Sequence, residues 1–192
     1  MSNDKLYHRL VWQPGTWLHD EWWQAIGLQQ WRTSYAVMPA LAQRAMDHEI
    51  QRRRSLGGTV GGRIMERTPV QEALLTAFER LPVLLIALGV TLSRCPDYLL
   101  WRPYRQALSD YLTENQLSQV WAVWRGGDRS PVIDPEGLIP FALRLGTAAL
   151  QQSLADDPVW QAVRYTLPVV SGTDVSVSDS PLPLFLRLER FL

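Results

Sequence analysis

Cysteine is almost missing from this chain: Cys95 is the single one in 192 residues. One thiol forms no internal disulfide and builds no thiolate metal site. Beside an apolar run it reads as a buried, unreactive side chain. A chain without a disulfide framework fits a reducing cytoplasm. Histidine is also scarce. His8, His19 and His48 are not spaced as ligands on one helix face, whereas a zinc site takes about three or four ligands. His19 reads as a structural or capping residue. Lysine is limited to Lys5, and the 19 cations are cancelled by 19 acids. A net charge of zero gives no long-range pull towards nucleic acid or an acidic membrane.

Long hydrophobic runs are missing as well. Leu81 to Leu92 is broken by Pro82, Gly89 and Thr91 and bracketed by Arg80 and Arg94. That stretch is well short of the roughly 20 residues that span a bilayer. Met1-Ser2-Asn3-Asp4-Lys5 leads into no apolar signal core. These features predict a core helix in a protein that is not membrane-integral. No G-x-S-x-G elbow, Cys/His pairing or dinucleotide fingerprint occurs, and the carboxylates are scattered. The expectation is a non-enzyme without cofactor.

What is present is frequent helix punctuation. Asp20-Glu21 starts a short helix carrying Trp22, Trp23, Ile26 and, further on, Trp31. Pro39 suits the first turn of a helix to about Arg54, with Leu41, Ala42, Ala45, Met46 and Ile50 at helical spacing. Thr68-Pro69-Val70-Gln71 reads as an N-cap, a first-turn proline and a capping-box Gln. Pro82 kinks the helix that follows or starts the next, which is apolar all round and therefore central. Thr113 to Gln116 repeats the capping logic before a stripe of Leu117, Val120, Trp121 and Trp124, and Gly126-Gly127 stops it. Asp134-Pro135-Glu136 and Asp157-Pro158 open two more helices. The one strand candidate is Leu6 to Trp12. The pattern predicts an all-α fold of seven or eight helices in one compact domain over 1–170. A flexible linker is expected over 171–181, SGTDVSVSDSP, and an apolar docking segment over 182–192.

Three groups of residues are candidates for contact with partners. The first is tryptophan: five of nine lie between Trp12 and Trp31, too many for one small region to bury completely. Those left exposed are strong interface anchors. The second is Arg52-Arg53-Arg54 at a helix C-terminus, which reads as a solvated end favoured by the helix dipole or as a surface for an acidic partner. The adjoining Gly57 to Gly62 has the gap of a phosphate-binding loop, but Arg63 and Ile64 replace the required Lys and Ser/Thr. A loop between helices is the better reading. The third is the tail, where Phe185, Leu188 and Leu192 share a face if it is helical, and Leu184, Leu186 and Leu188 alternate if it is a strand. Docking on the protein's own core and docking on a partner both remain open.

Two stretches resemble a known family. Val11-Trp12-Gln13-Pro14-Gly15-Thr16-Trp17-Leu18-His19, followed by Trp22, resembles the amino-terminal signature of the SctK/YscK/HrpD family of type III secretion. Phe78-Glu79-Arg80-Leu81-Pro82 leading to Ala87-Leu88-Gly89 is similar to its central pattern. Asp20 departs from the proline that many relatives carry after the histidine. The resemblance implies a helical, non-catalytic accessory protein of the sorting platform, at the cytoplasmic face of the bacterial inner membrane. Its implied partners are the inner-membrane ring protein SctD and the pod protein SctQ, with the stator SctL and the ATPase SctN beyond, and no nucleic acid. The partner-binding candidates are then Trp12, Trp17, Leu18, His19, Trp22, Arg52, Arg53, Arg54, Phe185, Leu188 and Leu192. Leu81, Pro82 and Gly89 read as fold determinants. The alternative is a small helical regulatory or nucleic-acid-associated protein that uses Arg52–Arg54.

Overall fold

In a computed structural model the described residues, 1–54, 66–124, 126–170 and 180–192, carry helices and no strand. The loop expected at Ser55 to Gly62, its phosphate-loop comparison, and residues 171–179 of the expected linker lie outside them. Twelve α-helices occur among the described residues: α1 (Asn3–Trp12), α2 (Asp20–Ala25), α3 (Arg32–Tyr35), α4 (Ala40–Arg53), α5 (Pro69–Thr76), α6 (Leu81–Leu92), α7 (Asp97–Leu100), α8 (Arg102–Ser109), α9 (Glu114–Ala122), α10 (Leu138–Ser153), α11 (Pro158–Val163) and α12 (Leu182–Phe191). The helical class is as expected, and the number of helices is larger. The surplus comes from short pieces such as α3 and α7, which have no capping side chain to announce them. Among the described residues no single helix is long and apolar enough to cross a membrane.

The chain forms two compact units. One comprises Met1–Phe78 and Leu154–Val169, the other Glu79–Ser153 and Val170–Leu192.

In the first unit, the strand expected at Leu6 to Trp12 is instead α1. Alternation would have mixed His8 with Leu6 and Leu10 on one face. Helical spacing gathers Leu6, Tyr7, Leu10 and Val11 into one buried stripe, and the Ser2 hydroxyl caps the start by accepting from Lys5 N–H. α2 ends at Ala25, with Ile26 as its C-cap, where Gly27 turns the chain at a φ of +69°. Trp31 therefore falls outside that helix, in a 3-10 turn over Gln29–Trp31. α5 opens with the predicted reciprocal pair: Gln71 N–H donates to Thr68 Oγ1 at 3.2 Å and Thr68 N–H to Gln71 Oε1 at 3.0 Å. Gln71 Nε2 also donates to Asp157 Oδ2 at 2.8 Å, while Asp157 Oδ1 accepts the Val159 and Trp160 N–H groups that open α11. Two helix starts thus share one polar joint.

The second unit is built around α6 and α10. Every residue of α6 from Leu84 to Thr91 is buried, as a helix apolar on all sides requires, and Pro82 sits harmlessly in its first turn. A Cβ added to Gly89 would collide with the Ala142 carbonyl, and one on Gly146 with the Leu85 carbonyl. The two backbones touch at both glycines, reciprocally. The end of α6 is made by Arg94 in the left-handed region, φ 56°. Cys95, next in the chain, is buried as expected, and burial pushes its thiol up. α9 carries the second predicted capping box, Thr113 with Gln116. Its stripe differs from expectation: Leu117 and Val120 are buried but Trp121 is exposed, stacked on Trp124 at 5.9 Å.

Candidate functional site

The first unit's aromatic segment is mostly consumed by its own core. Gly15 lies flat on the Tyr35 ring, where a Cβ would collide. Its N–H donates to Asp47 Oδ1 at 2.9 Å, and the Tyr35 hydroxyl donates to the same oxygen at 2.9 Å. Burial holds the Asp47 carboxyl above the usual carboxylate range, against the pull of those two donors. Burial also pushes the Tyr35 hydroxyl up to about 12, so it stays a donor. A buried carboxylate from α4 therefore clamps the Pro14–Thr16 turn to the ring of α3.

Leu18 and Trp23 sit in the apolar cluster beside this clamp with Leu28, Tyr35, Ile50 and Tyr165. His19 caps α2, its Nδ1 accepting from Glu21 N–H at 3.3 Å, as its capping reading expects. Its own N–H donates to the Tyr165 carbonyl at 2.9 Å. Trp22 meets Tyr165 at a tilt, 4.5 Å between ring centres, and its indole N–H donates to the Leu167 carbonyl at 2.9 Å. Trp17 meets Phe78 edge-on at 5.5 Å, with the Arg9 guanidinium 5.3 Å from its ring. Of the five tryptophan-segment candidates only Trp12 is open, at 48% exposure beside His8. Trp31 is the other exposed tryptophan of the segment.

The three arginines do not form one surface. Arg54 turns inward, its guanidinium 3.8 Å from the centre of the Tyr165 ring and donating to the Gln161 and Ala162 carbonyls. Burial lowers it to about 10, and it remains charged at neutral pH. Arg52 and Arg53 are exposed and share one carboxylate, Glu49, at 2.7 and 2.6 Å. The two guanidiniums, Arg52 first, hold Glu49 down at about 2. Arg53 also donates to the Ile26 and Gly27 carbonyls. The nucleic-acid reading loses its triplet, since one member is interior and another is tied to backbone.

The tail candidates belong to the second unit. Phe185 and Leu188 are buried, so the helical reading of the segment holds and its apolar face lies on the protein's own core. Leu192 is half-buried, its carbonyl accepting from Gln116 Nε2 at 3.2 Å. Glu189, which intrudes on the apolar side, is answered by Arg80 at 2.8 Å.

Several open apolar side chains were not among the sequence candidates. Val37 and Leu41 stand at the head of α4, at 82% and 81% exposure, and Leu100, Trp101, Tyr111 and Val132 lie open in the second unit. Leu41 shares the helical spacing that predicts the core stripe of α4. Its true inward residues are Asp47 and Ile50, and a polar residue in the middle of a core face hides that face from a hydrophobicity pattern. Among the described residues no three His, Cys, Asp or Glu side chains come together as a metal site would require.

The chain matches the family model described as type III secretion system subunit over residues 5–169, and it belongs to that family. No curated protein and no solved structure matches it. The matched span contains both stretches that carry the family resemblance, and α12 lies beyond it.

Proposed function

We propose that this subunit is a non-catalytic adaptor of the SctK type, at the cytoplasmic face of the inner membrane. In this reading it ties an SctD-like ring protein to an SctQ-like pod protein, with the SctL-like stator and SctN-like ATPase reached indirectly. The observation that carries it is the family match over residues 5–169. The local chemistry of the motif positions supports it. Pro14, Gly15, Leu18, His19, Leu81 and Gly89 are occupied in packing, capping or backbone contact, so those positions read as keeping a fold. The work of an adaptor then falls to exposed side chains outside them, Trp12, Trp31 and Trp101 among them. Exposed tryptophans of this kind serve as anchors in protein interfaces.

Co-expression with the cytoplasmic domain of the ring protein and with the pod protein of the same apparatus tests the proposal. The expected result is one complex of all three in size-exclusion chromatography. Separate elution of the chain from both, with secretion intact after its deletion, would overturn it.

A further inference from the structure

The outward face of α4 carries a line of exposed side chains. Leu41, Ala45, His48 and Arg52 follow one another at i, i+4, i+7 and i+11, which places them in a line along the helix. All four are exposed, and Arg44 is exposed beside them. The line is diametrically opposed to the buried side, where Asp47 and Ile50 face the core. This spacing is that of the seam by which one helix packs lengthwise on another. Leu41, with Val37 just ahead of it, supplies an apolar end. Ala45 in the middle carries only a methyl, so a second helix can approach closely there.

The charge on this face has one sign in excess. Arg44, Arg52 and Arg53 stand against one surface carboxylate, Glu49, which Arg52 and Arg53 already share. Asp47, the other acid of the helix, is buried and engaged with Gly15 and Tyr35. Arg44 has no carboxylate partner among the described residues. Arg53 leans away to the Ile26 and Gly27 carbonyls, which leaves Arg44 beside the line and Arg52 at its far end.

We infer that this face receives an acidic amphipathic helix from a partner protein, apolar towards Leu41 and Ala45 and carboxylate-bearing towards Arg44, His48 and Arg52. Basic residues beside and at the end of a helix-packing seam select a partner of opposite charge and repel a basic one. The inference rests on the reading that the chain acts by binding other proteins, and it narrows that reading to a surface and a chemical class.

The test uses the full chain and a fluorescein-labelled synthetic helix of three heptads, with Leu at the seam positions and Glu at the flanks. Fluorescence anisotropy should show saturable binding that weakens as salt is raised, since exposed charges are screened beyond roughly 8–10 Å. Arg44→Glu with Arg52→Gln, and separately Leu41→Glu, should each weaken it at least tenfold while the melting temperature stays that of the wild type. Arg44→Gln alone, the mildest change, should give a smaller loss in the same direction. Equal binding of a peptide with Lys in place of Glu, undiminished binding by the variants, or no saturable binding would overturn the inference. No secretion protein takes part in this titration. Its failure would remove the α4 surface and leave the adaptor proposal to stand or fall by the three-protein complex.

Discussion

The two units solve the same packing problem with different materials. The second is centred on the aliphatic side chains of α6 and on two glycines where α6 and α10 meet backbone to backbone. The first rests on aromatic rings held by polar pins: Asp47 under Gly15 and Tyr35, Asp157 between two helix starts, and Arg54 on the face of Tyr165. The difference teaches where each unit is vulnerable. A close-packed aliphatic pair fails through volume, because interiors leave no space to absorb an added side chain. A pinned aromatic cluster fails through a lost partner, because a buried donor left without its acceptor forfeits its solvation.

Volume should produce the largest effect. Gly89→Leu forces α6 and α10 apart, and we expect a loss of about 3 kcal/mol or more, the upper range for overpacking. Chemical denaturation followed by far-UV circular dichroism measures it. A loss below about 1 kcal/mol would show that the glycine contact is not what unites the pair. Asp47→Ala is the matching blow to the first unit. It orphans the Gly15 N–H, at about 1–3 kcal/mol for an unsatisfied buried group, and leaves the Tyr35 hydroxyl with Thr16 alone. Asp47→Asn keeps an acceptor oxygen and should cost much less, which separates the hydrogen bonds from mere space-filling.

The same pair of variants sharpens the contrast through pH. The folded-state value of Asp47 is raised by burial above the ordinary 3.8. The native state therefore holds a proton that the unfolded chain has released, and this contribution to stability declines as pH rises above 3.8 through the folded value. Wild type should show that decline in melting temperature when compared with Asp47→Asn. Parallel curves for the two proteins across that window would mean the carboxyl titrates alike folded and unfolded. The smallest effect concerns the caps. Thr68→Ala in the first unit and Thr113→Ala in the second should each cost about 1 kcal/mol, equal because capping is local and indifferent to what the unit is made of.

That indifference explains what the sequence made legible. Thr68, Thr113 and Asp157 are readable because each cap is completed within three residues. Pro82 and the all-round apolarity of α6 are readable for the same local reason. The Asp47 clamp is not, since its donors lie 12 and 32 residues away. Nor is the inward turn of Arg54, whose partners are over 100 residues distant. As for the candidate surface, the pattern placed Arg52 and Arg53 correctly in the open. It drew Arg54 in with them and put Leu41 in the core, because the side of α4 that faces inward is marked by an acid. Aromatic density and the family resemblance both point Trp17, Leu18, His19 and Trp22 towards partners, and neither distinguishes a core from an anchor.

The reciprocal meeting of Gly89 and Gly146 has a consequence in time. Where two helix backbones touch, there is no layer of side chains whose small rotations let solvent in, so local fraying has nowhere to begin. Amide protons on the inner turns of α6 then exchange with water only when the whole pair comes apart. In a deuterium-labelling experiment those turns would be the last part of the second unit to take up label. Their exchange would serve as its internal clock, while the termini of the unit's short helices filled within the first moments.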